Sequence, residues 1–226
     1  MGRTALLLVF CMSAFAQPTM RRGFIRAYGE GVVSMKPDQA RVTFSIVTTG
    51  QTANEVSNQN SVRTSAVMDQ LRSLLGAKGE LKTLSYSLSP NYVYPRDGGV
   101  PQLVGFTAQN TLETTVNELA MVGNTIDTGI QAGATRVDGL RLSLKDEEPA
   151  KAQALRTAGQ KARAKAESIA TGLNVRLGAV IAAEEGVSVR SIVGDRAPTG
   201  AAAVTPVEPG TLDVRATITL DIEIAP

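Results

Sequence analysis

Apolar and polar residues alternate along several stretches of this chain, which is the period of a β-strand with one buried face. The alternation is strongest over residues 212–224, and it recurs over residues 40–46 and 140–144. Strand-like composition also marks residues 25–35, 84–94, 103–116 and 175–189. Within residues 103–116 one face is polar throughout: Thr107, Gln109, Thr111, Glu113 and Thr115.

Two further segments have the period of a helix, with apolar residues at spacings of three and four. Thr52 and Glu55 form a capping box at the start of the first, and Gly76 or Gly79 ends it. The first half of this helix is markedly polar, so it is either weakly anchored or in contact with something polar. The second helix is predicted over residues 119–130.

A third predicted helix follows the acidic residues 146–148 and extends to Leu173. Negative charge at a helix start opposes the helix dipole, and Pro149 is tolerated in a first turn. The apolar stripe of this helix is mostly alanine: Leu155, Ala158, Ala162, Ala166, Ile169 and Leu173. Because alanine side chains are short, we expect this helix to lie close to its sheet.

Strands and helices are interleaved along the chain, with a helix after the second, fourth and fifth predicted strands. This order predicts an α+β fold, with a mainly antiparallel sheet of about seven strands and three helices packed on it. We expect the first two strands to form a hairpin, because Pro37 and Asp38 mark a turn between them. No linker divides the chain, so a single domain is predicted over residues 17–226.

Residues 1–16 have the features of a cleavable signal peptide. Arg3 supplies the positive charge, an apolar stretch follows, and the sequence Ala-Phe-Ala at residues 14–16 suits signal peptidase. The stretch is shorter than the roughly 20 residues of a membrane-spanning helix. The bulky residue before Cys11 argues against lipidation. We therefore expect export to the periplasm, a mature protein that starts near Gln17, and no integral membrane segment in it.

Composition restricts the chemistry of the protein. The chain of 226 residues has 23 Lys and Arg against 21 Asp and Glu, a balance that argues against a nucleic-acid partner. It contains no histidine, and its single cysteine is Cys11, inside the predicted signal peptide. The usual general base, the commonest metal ligand and the thiol nucleophile are thus absent from the mature chain. We expect no enzyme activity, no cofactor and no metal site.

Gly29 and Gly31 lie in a short glycine-containing sequence, Tyr-Gly-Glu-Gly, that superficially resembles a phosphate-binding loop. The third glycine of a nucleotide fingerprint is missing, and a strand follows where that fingerprint requires a helix. We expect these glycines to permit a bulge or a close approach of another backbone.

Two groups of residues are candidate ligand or interface surfaces. The first is a tyrosine cluster on strands, where binding of bases or sugars competes with ordinary cross-strand packing: Tyr86, Tyr92 and Tyr94. The second is a basic face on the third helix, where an anionic membrane surface or a partner competes with simple solvation: Lys161, Arg163 and Lys165.

Acidic residues offer two further possibilities. Residues 146–148 could bind a hard cation, although the helix start already accounts for them. A hydrolase that uses carboxylates alone, such as Asp38 or Glu208, would require two acidic side chains to converge in a pocket. Residues 194–210 are rich in Ala, Pro and Gly and are expected to form a long loop, either mobile or functional.

The chain as a whole resembles the SIMPL domain family, in particular its bacterial periplasmic immunogenic proteins. The resemblance rests on AYGEGV with the following PDQA, on PNYVY with the following VGFTA, on the alanine-rich helix over residues 150–173, and on PVEPG near the end. The residues that carry the family pattern in the first and last of these are Gly29, Gly31, Pro37, Asp38, Pro206, Glu208, Pro209 and Gly210.

The resemblance implies an α+β envelope protein that is not an established enzyme, has no accepted active site and tends to self-associate. Our first hypothesis is therefore a homo-oligomeric periplasmic protein with a role in envelope maintenance or stress response, in contact with envelope proteins or the membrane surface. The alternative is a module that binds a small molecule, glycan or lipid through the tyrosine-bearing hairpin or the loop over residues 194–210.

Overall fold

A computed structural model describes residues 23–96, 98–192 and 209–225 of the chain. The predicted signal peptide and most of the predicted loop over residues 194–210 lie outside these ranges. The strands are β1 (Phe24–Met35), β2 (Gln39–Gly50), β3 (Gly79–Val93), β4 (Gln102–Val116), β5 (Arg136–Ser143), β6 (Arg176–Ile192) and β7 (Thr211–Ala225). The helices are α1 (Ala53–Leu75), α2 (Val122–Gln131) and α3 (Glu148–Gly172).

The strands of the described ranges form two antiparallel sheets. One has three strands in the order β1-β7-β6, and the other has four in the order β3-β4-β2-β5. The α+β class, the antiparallel pairing and the positions of the helices after β2, β4 and β5 are confirmed. The sequence patterns did not indicate that the strands divide between two sheets.

The predicted hairpin between the first two strands is wrong. Strand β1 pairs with β7 along its whole length, whereas β2 lies between β4 and β5. The connection between β1 and β2 is held at the end of β5 instead. The Asp38 backbone N–H donates to the Ser143 carbonyl at 3.2 Å, and Asp38 Oδ1 accepts from the Lys145 N–H at 2.7 Å. These bonds direct the chain from one sheet into the other.

Helix α3 covers the three-stranded sheet with an alanine stripe at a strict spacing of four. The buried residues of this stripe are Ala150, Ala154, Ala158, Ala162, Ala166 and Ala170. Opposite them on β1 lie Gly29 and Gly31. A β-carbon on Gly31 would lie 2.9 Å from the backbone nitrogen of Ala158, closer than real side-chain contacts allow. The predicted close approach of the helix to its sheet is confirmed.

The predicted stripe differs in detail from the observed one. Leu155 and Ile169 are partly buried at its margins. Leu173 lies just beyond the end of the helix and is 62% exposed, so its place in the stripe was wrong.

Helices α1 and α2 cover the four-stranded sheet and enclose a conventional apolar core. Thr52 Oγ1 accepts the Glu55 N–H at 3.3 Å, which confirms the predicted cap, and Gly76 ends α1 with a positive φ of 48°. The Phe44 ring packs against Gly129 of α2. Other buried members of this core are Val42, Ile46, Val67, Leu71, Leu112, Val116 and Val122. The opposite face of the four-stranded sheet has no helix packed on it in the described ranges.

Candidate functional site

The three tyrosines of the predicted cluster lie along β3 and just beyond its end. Tyr86 and Tyr92 are half-exposed, and Tyr94 is 72% exposed. The hairpin of β3 and β4 was predicted correctly, and its tip continues past Phe106, the β4 residue that pairs with the last residue of β2. Exposed apolar residues surround the outer tyrosines: Val93, Val100, Leu103 and Val104. This hairpin end is therefore an apolar and aromatic surface.

Tyr86 belongs to a different environment from the outer two tyrosines. Its hydroxyl is 3.1 Å from Ser57 Oγ on α1, within hydrogen-bond distance. Both residues line a pocket of about 250 Å³ between α1 and the sheet. The remaining lining residues are also polar and uncharged: Asn60, Ser61, Thr64, Ser65 and Asn110. The Asn110 Oδ1 atom is buried without a hydrogen-bond partner. The pocket thus presents hydroxyl and amide groups.

Asn60 anchors the polar half of α1 to the sheet. It is fully buried, and its Nδ2 donates to the Ile46 carbonyl of β2 at 2.9 Å. The Thr48 hydroxyl and the Ala108 carbonyl of β4 lie at 3.3 and 3.4 Å from the same nitrogen. Of the two alternatives for this half of the helix, weak anchoring or contact with something polar, the structure shows the polar contact. The sequence indicates this contact, because Asn60 and Thr64 follow the buried Val56 at intervals of four residues and so lie on the same face of the helix.

The uncovered face of the four-stranded sheet contains a hollow of about 430 Å³. It is lined by Arg41 and Thr43 of β2, Glu113 of β4, and Asp138 and Arg141 of β5. Its two acidic residues are held by neighbouring cations. Lys82 Nζ lies 2.8 Å from Glu113 Oε1, and Arg136 Nε lies 2.6 Å from Asp138 Oδ1. The sequence did not single out these residues, except Glu113 as part of a polar face.

The residues of the carboxylate hypothesis do not form the acidic pair that it requires within the described part of the chain. Asp38 is used in the structural bond to the Lys145 backbone. Glu208 lies outside the described residues. The acidic pair that does share a hollow is Glu113 and Asp138, and both are ion-paired.

The acidic start of α3 is occupied by local contacts. Asp146 Oδ1 accepts the Glu148 N–H at 3.0 Å. Lys151 Nζ lies 3.1 Å from carboxylate oxygens of both Glu147 and Glu148, and hydrogen bonds to them raise the pKa of Lys151. In the described ranges no three acidic side chains are grouped so that they could hold a metal ion.

The basic residues of α3 lie over the three-stranded sheet, in a different layer from the tyrosine hairpin. Arg163 Nε is 3.1 Å from Glu167 Oε1 one helical turn away, and Lys165 Nζ stands 5.8 Å from the centre of the Tyr28 ring. Lys161 is exposed. The structure therefore does not combine the tyrosines and the basic residues into one surface.

The family-pattern residues have structural positions where they are described. Gly29 and Gly31 face α3, Pro37 is buried, and Asp38 holds the connection between the sheets. Pro209 and Gly210 directly precede β7. Pro206 and Glu208 lie outside the described residues.

Strand β6 forms one edge of the three-stranded sheet. Nothing in the described ranges pairs with its outer side. Most of its side chains are exposed, and they include Val180, Ile181 and Val187 at 46%, 57% and 39% exposure. A long edge strand with apolar side chains is a template for pairing with another chain.

Among the described residues no helix is long and apolar enough to cross a membrane. The two sheets and three helices define an α+β protein. The chain belongs to the SIMPL family, described as a protein of unknown function (DUF541), whose family model matches residues 25–222. The resemblance inferred from the sequence is thus confirmed.

Relatives of this chain include the 26 kDa periplasmic immunogenic protein of Brucella melitensis, which is 30% identical over 188 residues, or 80% of this chain and 74% of that protein. The protein of the same name in Brucella abortus has the same identity and coverage. The uncharacterized protein YggE of Escherichia coli K12 is 24% identical over 204 residues, or 87% of this chain and 82% of that protein. None of these names states an enzyme activity.

Proposed function

We propose that this chain is a non-enzymatic, self-associating protein of the periplasm that acts in envelope maintenance or stress response. Export through residues 1–16 is part of this proposal, and the periplasmic names of the Brucella relatives support it. The observation that carries self-association is the outer edge of β6.

The β6 edge has the features that monomeric proteins usually avoid. It extends over 17 residues, the backbone groups on its outer side pair with no strand of the described ranges, and its apolar side chains are exposed. Pairing with the same edge of a second copy would satisfy these backbone groups and bury Val180, Ile181 and Val187. The apolar end of the hairpin, around Tyr92 and Tyr94, offers a second contact surface.

A role without catalysis is supported by the side chains available. The mature chain lacks histidine and cysteine, and the acidic residues that share a hollow are already paired with cations. The ion pairs that Glu113 and Asp138 form on the sheet surface account for these two residues without a catalytic role.

Light scattering of the mature chain, residues 17–226, tests self-association. We expect a mass above that of one chain across micromolar concentrations. A strict monomer over that range would contradict the proposal.

A second candidate function is the binding of a small neutral ligand, such as a sugar, in the pocket beside Tyr86. The hydroxyl and amide lining favours it. A hydrogen bond from a ligand hydroxyl to the buried, unpartnered Asn110 Oδ1 would lower the free energy of the complex. The test is a thermal-shift screen with neutral saccharides on wild type, Tyr86→Phe and the control Tyr94→Phe. Stabilisation that Tyr86→Phe alone abolishes supports binding. If no saccharide raises the melting temperature of the wild type, this candidate is rejected.

A further inference from the structure

Two arginines lie side by side on the uncovered face of the four-stranded sheet. Arg41 of β2 and Arg141 of β5 are directly opposite each other in the antiparallel ladder, and both are exposed. Directly opposite residues have β-carbons about 4.5–5.5 Å apart, and like charges at that spacing destabilise a sheet. Within the described ranges neither guanidinium forms an ion pair or a side-chain hydrogen bond.

The residues next to the arginine pair leave room for a ligand. Gly139 lies opposite Thr43 in the ladder, and a β-carbon on it would meet nothing within 4 Å. The missing side chain opens the hollow of about 430 Å³ that both arginines line. Thr43 adds a hydroxyl that can donate a hydrogen bond from the floor of this hollow.

The acidic residues of the hollow do not neutralise the arginine pair. Glu113 is paired with Lys82 at 2.8 Å. Asp138 is paired with Arg136 at 2.6 Å and also accepts a hydrogen bond from the Ser45 hydroxyl. Each carboxylate therefore has its own cation, and among the described residues the charge of Arg41 and Arg141 is left without a counterion.

We propose that this hollow binds a phosphate-type oxyanion, with Arg41 and Arg141 as the charged donors and Thr43 as a neutral one. A guanidinium presents two parallel N–H groups that match the oxygen spacing of phosphate, and two adjacent guanidinium groups suit its double negative charge. The bound anion would also remove the repulsion between the arginines. This site is separate from the β6 edge and from the pocket beside Tyr86, so it goes beyond the proposed function.

Thermal unfolding of the mature chain in sodium phosphate and in sodium chloride of equal ionic strength tests this site. The test variant is the double substitution Arg41→Gln and Arg141→Gln. The single substitution Arg141→Gln is a second test variant. The control is Arg63→Gln with Arg156→Gln, which removes two exposed arginines from helices and changes the net charge equally. We expect phosphate to raise the melting temperature of wild type and control by at least about 2 °C and to leave the double variant unchanged.

The melting temperature of Arg141→Gln in chloride alone gives a second, independent test of the site. In chloride, Arg141→Gln should unfold at the same temperature as wild type or at a higher one, because it relieves the repulsion with Arg41. A purely structural role for Arg141 would instead lower the melting temperature in both salts, and that result contradicts the proposal.

Vesicles distinguish a free phosphate from the phosphate of a lipid headgroup. Co-sedimentation with phosphatidylglycerol vesicles that depends on Arg41 and Arg141 supports the site with a headgroup as its ligand. A phosphate effect without co-sedimentation supports the site with a soluble phosphate compound. An equal phosphate effect in wild type and the double variant, or neither a phosphate effect nor vesicle binding in wild type, overturns the proposal.

Discussion

A β-carbon on Gly29 of β1 would lie 3.0 Å from the Cα of Ala162 on α3. The helix and the strand thus meet backbone to backbone, with no side chain between them. Such contact requires glycine on the strand and alanine on the helix, and the chain supplies both where Gly29 and Gly31 face the alanine stripe of α3. Close backbone packing therefore helps to hold the three-stranded sheet to its helix, together with buried apolar side chains such as Leu212 and Ile222.

Gly29→Ala should destabilise the protein, because the added methyl group meets helix backbone that cannot rotate away. Overpacking of a core typically costs about 1–3 kcal/mol, and we expect a loss at the upper end of this range. Urea unfolding followed by circular dichroism measures it. The matched control is Gly139→Ala, also on a strand, where the new methyl group meets open space. Equal stability of the two variants would contradict the described packing.

Asn60→Ala should lower the free energy of unfolding by about 1–3 kcal/mol, since it leaves the Ile46 carbonyl without this buried donor. Asn58→Ala on the exposed side of the same helix is the control, and it should change stability by less than about 0.5 kcal/mol. Denaturant midpoints of the two variants provide the comparison. Indistinguishable midpoints would show that Asn60 does not anchor α1.

The Arg26 guanidinium donates to both carboxylate oxygens of Asp221 at 2.6 Å, and this lowers the pKa of Asp221 below its ordinary value. A carboxylate whose pKa is lower in the folded state stabilises the fold above the unfolded-state pKa of about 3.9. That contribution is lost as the pH falls through the lower folded-state pKa. Asp221→Asn should therefore be less stable than wild type at pH 7.

The stability difference between Asp221→Asn and wild type should shrink as the pH falls below about 4. Urea unfolding at a series of pH values measures it. Asp69→Asn is the control, because Asp69 lies on the surface of α1 with its nearest cation, Arg72, 3.7 Å away. A difference for Asp221→Asn that stays constant down to pH 2 would show that the ion pair with Arg26 does not contribute.

Local patterns were sufficient to predict most elements of the fold. The alternation that ends the chain and the cap at Thr52 identified β7 and the start of α1, because strand period and capping chemistry depend on neighbouring residues alone. The pairing of β1 with β7 could not be predicted in this way. It joins residues as distant as Arg26 and Asp221, and the turn at Pro37 and Asp38 suggested the nearer partner.

The candidate sites were even harder to predict, because each is formed by residues that are far apart in the sequence. The polar pocket beside Tyr86 combines residues of α1, β3 and β4, and the arginine pair depends on the register between β2 and β5. Arg41 and Arg141 are unremarkable in the sequence because each is one polar residue on an alternating strand. Only the register places them opposite each other, and only Gly139 leaves the space beside them.

The most direct test of the central claim is the mass in solution of Ile181→Lys, measured by sedimentation velocity beside wild type. Ile181 on the β6 edge is 57% exposed, so a lysine is compatible with the folded chain but opposes pairing of the edge. Val62→Lys on α1, where the valine is 71% exposed, introduces the same charge away from that edge. We expect wild type and Val62→Lys to sediment as the same oligomer and Ile181→Lys as a smaller species. A wild type that sediments as one chain, or an Ile181→Lys variant of unchanged mass, would contradict self-association through β6.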